Sequence, residues 1–248
     1  MTEPVRLAKR LAEMLPCSRS QAEQYIAGGW VRVDGRVVES PQQRVTNEKI
    51  ELDRDASLLE SEPMTVLLHK PAGFDWSNET GPGRKPAVAL LTEANRSRMD
   101  KSGVRLLKRH LKDHESVTPL EFGASGLIVF TQDFPIQRKL WEDRATVENE
   151  LVVDVAGAVS EAALNALNRP VIVNDRVLLN AKVSVTTQAD KTTGLRFAVK
   201  GGEPGRIATA CERAGLEVVA MKRIRVGRVP MAGLEPGQWR FLLAHERF

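Results

Sequence analysis

The chain has 248 residues, of which 42% are hydrophobic and 27% are charged, so it can bury an ordinary core and is not expected to be disordered. Its formal net charge of +4 allows a polyanionic partner without requiring one. The two cysteines, Cys17 and Cys211, are far apart in sequence, which argues against a disulfide framework and a cysteine metal knuckle. We therefore expect no metal site.

The N-terminal residues lack the long apolar segment of a secretory signal. No stretch approaches the roughly 18 apolar residues that a membrane-spanning helix needs. These two observations predict a soluble, cytoplasmic protein that does not interact with a membrane.

Residues 4–55 have the pattern of two helices followed by a hairpin and a further strand. The apolar residues of 5–15 share one helical face, and Pro16 ends that segment. Ser18 is a candidate N-cap for the second helix, with Gln21 three residues on in the position of a capping box. Asp34-Gly35 separates two alternating apolar segments, which is a strong hairpin signal.

Residues 56–63 have the composition of a linker, and a larger body follows them. In the body, predicted strands outnumber helices and several strands follow one another directly. This order favours an α+β fold over a doubly wound sheet. We expect two domains, over residues 1–60 and 64–248.

Residues 92–116 are polar and rich in Arg and Lys. Within them Arg105, Lys108, Arg109 and Lys112 have helical spacing, which predicts a basic stripe on a helix. Such a segment is either a solvated helix or an insertion that faces RNA.

The N-terminal pattern, RLAKRLAEMLPCSRSQAEQYIAGGWVRVDGRVVESPQQRV, resembles the S4 RNA-binding domain. The resemblance implies that basic side chains of both helices and of the hairpin converge on RNA phosphates, helped by the amides at the start of the second helix. A solvated charged face is the alternative. The RNA-binding candidates in this module are Arg6, Lys9, Arg10, Ser18, Arg19, Arg32 and Arg36.

The body resembles the pseudouridine synthases that modify ribosomal RNA. Four segments carry the resemblance, namely HKPAGF at 69–74, LEFGASGLIVFTQD at 120–133, VENELVVDV at 147–155 and GLEVVAMKRIRVGRVPMAGLEPGQWRFL at 215–242. The resemblance implies a mixed, mostly antiparallel sheet, a monomer, and a structured, ribosomal RNA as partner. It also implies isomerisation of a flipped uridine by a single Asp, without a cofactor, aided by a Tyr and an Arg.

This sequence departs from the family at all three of those positions. Glu121 stands where the family has its nucleophilic Asp, and Leu151 stands at the Tyr position. The run that carries the family's arginines is represented here by Gly205-Arg206-Ile207-Ala208-Thr209, in which the first and last arginines are replaced, and Arg206 could reach the site from a shifted register. Two functions stay open: an isomerase that uses Glu121, and a non-catalytic RNA-binding or ribosome-assembly factor in which Glu121 is an ordinary turn carboxylate.

Other residues of the body have two interpretations each. Lys70 either contacts phosphate or shapes the end of a strand, and Trp76 and Trp141 either stack on bases or pack against protein. Along 222–228, basic residues alternate on a strand, so some of them share one face. The RNA-binding candidates of the body are Lys70, Arg206, Lys222 and Arg223.

Overall fold

The computed structural model describes residues 3–58, 63–173, 176–201 and 203–248. The chain forms two compact units, one from residues 1–62 with Arg105–Lys112 and one from Pro63–Val104 with Asp113–Phe248. The linker predicted at 56–63 falls partly outside the described residues. Within the described ranges, no helix is long and apolar enough to cross a membrane, and no cluster of His, Cys, Asp or Glu could hold a metal ion.

The helices are α1 (Leu7–Met14), α2 (Arg19–Ala27), α3 (Phe134–Trp141), α4 (Glu161–Leu167) and α5 (Arg206–Arg213). The strands are β1 (Val5–Arg6), β2 (Val31–Val33), β3 (Arg36–Val38), β4 (Arg44–Val45), β5 (Ile50–Leu52), β6 (Thr65–Lys70), β7 (Phe74–Asp75), β8 (Lys85–Pro86), β9 (Glu115–Ser116), β10 (Ser125–Thr131), β11 (Glu148–Ala156), β12 (Val171–Val173), β13 (Arg176–Leu179), β14 (Ala181–Gln188), β15 (Thr192–Lys200), β16 (Val218–Val226), β17 (Val229–Pro230) and β18 (Trp239–Phe241).

The first unit has the predicted order of two helices, a hairpin and a strand. The capping box is confirmed, because Ser18 Oγ accepts from the Gln21 amide and Gln21 Oε1 accepts from the Ser18 amide. Asp34 and Gly35 both have positive φ, as a tight two-residue hairpin turn requires. β2 pairs with both β3 and β5, and apolar side chains of α1, α2 and the hairpin form one core.

The segment Arg105–Lys112 packs on this first unit although it lies far along the chain. Leu107 is buried beside Gly29, and the Arg109 guanidinium donates to the carbonyl of Ala27 at 3.2 Å. The Lys108 amide donates to the Glu39 carboxylate at 2.7 Å. The predicted α-helical basic stripe is therefore wrong. Only a short 3₁₀ helix forms, over Lys108–Leu111, because Leu107 turns inward with extended backbone and starts a new segment there.

The body is built on a mixed sheet in the order β14-β15-β11-β16-β10-β6-β18, with β9 and β17 paired to β10 and β16. All pairs in it are antiparallel except β10 with β16. This confirms the predicted α+β class. At the parallel pair, Gly126 has φ +115°, and a Cβ there would lie 2.3 Å from the Arg223 carbonyl oxygen. Glycine is required for this approach, which brings residues 119–124 next to β16.

We expect Gly29→Ala to destabilise the first unit more than Gly35→Ala does. Both glycines have positive φ, so alanine costs about 1–2 kcal/mol of backbone strain at either position. Only at Gly29 does the added Cβ clash, at 2.4 Å from Leu107 Cδ2, which adds about 1–3 kcal/mol of overpacking. Hydrogen exchange of the α2 and β2 amides measures the difference. Equal losses in the two variants would mean that the Arg105–Lys112 segment does not pack tightly on this unit.

Candidate functional site

The body contains a cavity of about 210 Å³, many times the roughly 10–15 Å³ that holds one water molecule. It lies where β11 and β16 meet the start of α5 and the loop before β10. Glu121, Leu151, Arg206 and Arg223, all of which the sequence singled out, line it together. The cavity therefore coincides with the site that the motifs predict.

Glu121 is bound to the start of α5. Its carboxylate Oε1 accepts a hydrogen bond from the Gly205 amide at 2.9 Å. Gly205 is the N-cap residue of α5, so its amide lies at the positive end of the helix dipole, where the negative charge of the Glu121 carboxylate is favourable. Burial, and to a lesser extent the charge of Glu121, raises the pKa of the Cys211 thiol to about 11. The carboxylate thus has a structural role at a helix terminus.

The guanidinium of Arg206 lines the cavity but is ion-paired with Glu203 and not with Glu121. Glu203 also lies 3.8 Å from the Arg144 guanidinium, so that it bridges two arginines. Arg206 thus reaches the site without pairing with Glu121. Glu203 is a residue of the site that the sequence did not predict. Its place just before Pro204 and Gly205, at the start of a helix, could have indicated it, because acidic residues are favoured at helix N-termini.

Leu151 is 4% exposed on β11, opposite Arg223 of β16 and Phe197 of β15. Its side chain gives the cavity an apolar wall. A leucine supplies neither a hydroxyl group nor the flat face of an aromatic ring, so a base that enters here has no aromatic partner at this position.

Arg223 was predicted to contact RNA, but it lies in the interior and is 2% exposed. Its guanidinium donates to the carbonyls of Leu127, Pro119 and Thr118 at 2.7, 2.8 and 2.9 Å. Burial lowers its pKa from the ordinary value. These hydrogen bonds are all with the backbone of the chain itself, so in this structure Arg223 holds the Glu121 loop in place.

Comparison with known proteins agrees with this architecture. Residues 5–49 match the S4 domain. An RNA pseudouridine synthase of Aquifex aeolicus is 26% identical, over 98% of this chain and 94% of its own length. The ribosomal large subunit pseudouridine synthase B of Bacillus subtilis is also 26% identical, over 97% and 93%. A crystal structure of pseudouridylate synthase shares the fold, with a TM-score of 0.57 and 20% identity over 96% of both chains.

This chain is similar to RNA pseudouridine synthases over nearly its whole length. The similarity in sequence and in fold covers both units. The positions at which this sequence departs from the synthase pattern lie inside the region of similarity.

Lys70, in the family's first motif, is the second predicted RNA contact that the structure buries. It is 0% exposed, and its ammonium donates to the carbonyls of Pro71, Phe74, Phe122 and Ala124. Burial and the nearby charge of Arg223 lower the pKa of its amine to about 8. Of the two interpretations, the structure favours the shaping of the strand end, because no face of Lys70 is open to a phosphate.

The remaining basic candidate of the body, Lys222, is exposed next to buried Arg223, as the alternation of a strand requires. Arg225 is ion-paired with Glu148 and Glu150 at 2.6 and 2.9 Å, and Arg228 is exposed. The basic run in the C-terminal motif therefore places only some of its cations at the surface.

The candidates of the S4 domain lie at the surface. Arg6, Lys9, Ser18, Arg19, Arg32 and Arg36 are exposed, and Arg10 is half-buried and donates to the Thr46 carbonyl. Lys9 and Arg19 form only loose ion pairs, at 3.9 and 3.6 Å, with the glutamates one turn on. Arg32 pairs across the hairpin with Val37, so Arg32 and Arg36 lie on opposite faces of it. The two hairpin arginines do not share the single surface that the sequence predicts.

We expect Lys70→Met to lower the free energy of unfolding by about 3 kcal/mol or more, because it leaves buried carbonyls without a charged donor. Lys222→Met is the matched control: it removes an exposed lysine from β16 of the same sheet and should change stability by about 0.5 kcal/mol or less. Urea unfolding followed by tryptophan fluorescence measures both. A Lys70→Met variant as stable as the control would contradict the interior role of Lys70.

Proposed function

We propose that this protein binds structured RNA through its S4 domain and body, and that its cavity holds RNA without isomerising uridine. The observation that carries the proposal is the position of the Glu121 carboxylate, which accepts a hydrogen bond from the Gly205 amide at the start of α5. Relatives named as ribosomal large subunit pseudouridine synthases support ribosomal RNA as the partner.

The chemistry of the related synthases requires an Asp, a Tyr and an Arg in the site, and this chain has none of the three at the corresponding positions. A nucleophilic Asp is replaced by Glu121, whose extra methylene displaces the carboxylate by roughly 1 Å, a shift that can reduce a rate about a hundredfold. To reach a nucleoside, this carboxylate would also have to give up its hydrogen bond to the helix terminus. Within the described side chains, Glu121 has no ion pair, since Arg206 is held by Glu203.

The second candidate is an isomerase that uses Glu121 as its nucleophile. One observation favours it: Glu121 does line the cavity, together with the position where the family has its Tyr. Leu151, however, occupies the Tyr position. Within the described part of the chain, no arginine is ion-paired with Glu121. A carboxylate alone retains the nucleophile but loses the groups that orient it and hold the base.

RNA binding by the S4 domain rests on the exposed cations of α1, α2 and the hairpin. Exposed ion pairs such as Lys9–Glu13 contribute little to stability, about 0–1 kcal/mol. A phosphate can therefore replace the glutamate as partner at small cost. The match of residues 5–49 to the S4 domain family supports this surface as the RNA contact.

We expect the purified protein to release no tritium from RNA labelled at uridine C5, because isomerisation is the step that frees that hydrogen. The substrate is ribosomal RNA from cells that lack this protein, so that its target uridine would be unmodified. The Bacillus subtilis relative serves as positive control on its own unmodified RNA. Filter binding on the same preparation shows whether the RNA is bound.

Release that disappears in Glu121→Ala would overturn the non-catalytic proposal and establish the isomerase. Glu121→Asp gives a further comparison, since it restores the family's residue. If Asp alone restored tritium release, the added methylene of Glu121 would be the decisive change.

We expect the triple variant Arg6→Ala, Lys9→Ala and Arg19→Ala to weaken RNA binding and to reduce the slope of log affinity against log salt. Each phosphate contact removed reduces that slope by about 0.7–0.9. A charge-matched control removes three exposed cations of the body, Lys191, Arg213 and Arg247. Equal slope changes in both variants would mean that RNA does not prefer the S4 surface.

A further inference from the structure

The body has an aromatic group at its surface that neither the cavity nor the S4 domain uses. The rings of Trp76 and Trp141 are stacked, with centroids 6.1 Å apart and planes inclined by 30°. The Arg144 guanidinium lies 5.4 Å from the Trp141 ring and donates to the Trp141 carbonyl at 2.7 Å. We call Trp76, Trp141 and Arg144 the indole cluster.

The indole cluster is not part of the core. Trp141 is 43% exposed, whereas Trp239 is 0% exposed and donates its indole N–H to the Thr92 carbonyl at 2.7 Å. Neither Trp76 nor Trp141 makes such an indole hydrogen bond to the described part of the protein. A large ring that is half open and has a spare N–H donor is typical of a binding surface.

The indole cluster adjoins the cavity through two links. Arg144 lines a small cleft together with Pro119, Asn149 and Arg223, and all three of those residues also line the main cavity. Arg144 also lies near Glu203, which is ion-paired with Arg206 on the cavity wall. A nucleic-acid strand that enters the cavity therefore passes close to the indole cluster.

The charges around the indole cluster suit a nucleotide. Lys139 is exposed on the last turn of α3, and Arg144 has only a loose 3.8 Å ion pair with Glu203. Arg138 is paired with Glu142 just after the helix, and Asp75, which precedes Trp76, is paired with Arg84. Asp143 is an exposed acid next to Arg144. Every base has a face that stacks on an aromatic ring or on a guanidinium plane, while the cations serve its phosphate.

We propose that the indole cluster is a stacking site for one unpaired base of bound RNA, beside the cavity and separate from it. This inference rests on the proposed RNA binding. It narrows the class of ligand to RNA with an unpaired base. A duplex keeps its bases stacked inside, whereas a single-stranded tail or a bulge can present an unpaired base to the protein. The occupant is any unpaired base, since the site offers flat faces and no fixed base-edge pattern.

The test uses the full-length protein and two labelled RNA hairpins with tails of equal length. One tail is oligoadenosine, and the other has the same phosphates with abasic sugars. Adenosine keeps uridine chemistry out of the measurement, and equal charge keeps the salt term the same. We expect the wild type to bind the adenosine tail about tenfold more tightly than the abasic tail.

Trp141→Ala should lose that preference and bind both hairpins alike, whereas Trp141→Phe should keep most of it. The matched control is Phe134→Ala, which removes an aromatic side chain that is 66% exposed on the same helix but outside the indole cluster. It should retain the preference. Circular dichroism checks that each variant is folded. The comparison of the two hairpins with the wild-type protein tests the proposal without any substitution.

The outcomes separate the two proposals. If the wild type binds both hairpins with equal affinity, the stacking site is overturned while RNA binding stands. The same holds if Phe134→Ala abolishes the preference as fully as Trp141→Ala does. If the wild type binds neither hairpin nor ribosomal RNA, the proposed function fails and this inference fails with it.

Discussion

Two buried cations hold the loop on which the body's cavity depends. Among the described residues, neither Lys70 nor Arg223 forms an ion pair with a carboxylate, and both place their charge on backbone carbonyls of residues 118–127 and of the turn after β6. A buried charge is costly unless its donors are all satisfied, so the carbonyls must be presented at fixed positions. These two side chains therefore fix the backbone of the Glu121 loop from the interior.

This arrangement explains how the framework can persist while the reactive groups change. Glu121, Leu151 and Arg206 line the cavity, yet their side chains take no part in the hydrogen bonds that Lys70 and Arg223 make to the loop. Leu151 packs between its sheet neighbours, and the Glu121 carboxylate has a structural partner at the start of α5. The loop and the reactive positions of the site thus depend on different side chains, so one can change without the other.

The sequence predicted most of the fold because its signals are local. The capping box at Ser18, the turn at Asp34-Gly35 and the alternating strands depend on neighbours within a few residues, and each is observed. The Arg105–Lys112 segment could not be predicted in this way. Its conformation depends on Gly29 and Glu39, more than sixty residues earlier in the chain, and helical spacing of its cations carries no information about them.

The site residues illustrate the same limit. The motifs placed Glu121 and Leu151 in one cavity, since their family positions are defined by sequence. They predicted that Lys70 and Arg223 contact RNA, because a motif does not distinguish a buried cation from an exposed one. For Arg223 the strand alternation does contain the answer, since it shares the inward face with buried Met221 and Lys222 does not. For Lys70 no such signal exists, because β6 is buried on both faces and every position of it is interior.

Cations in this protein thus divide by their partners. Those that donate to buried carbonyls of the body hold the Glu121 loop in place. Those on α1 and α2 form only long ion pairs with glutamates, so their charge can still bind a phosphate. The exposed S4 cations alternate with acids, so their field is modest and contacts made there position RNA without reading its sequence. In the proposed function, selectivity comes from features that charge does not supply, which are the shape of the cavity and the flat aromatic faces beside it. Both features serve a protein that binds RNA without isomerising uridine, because an unpaired base can be contacted in either place without being transformed.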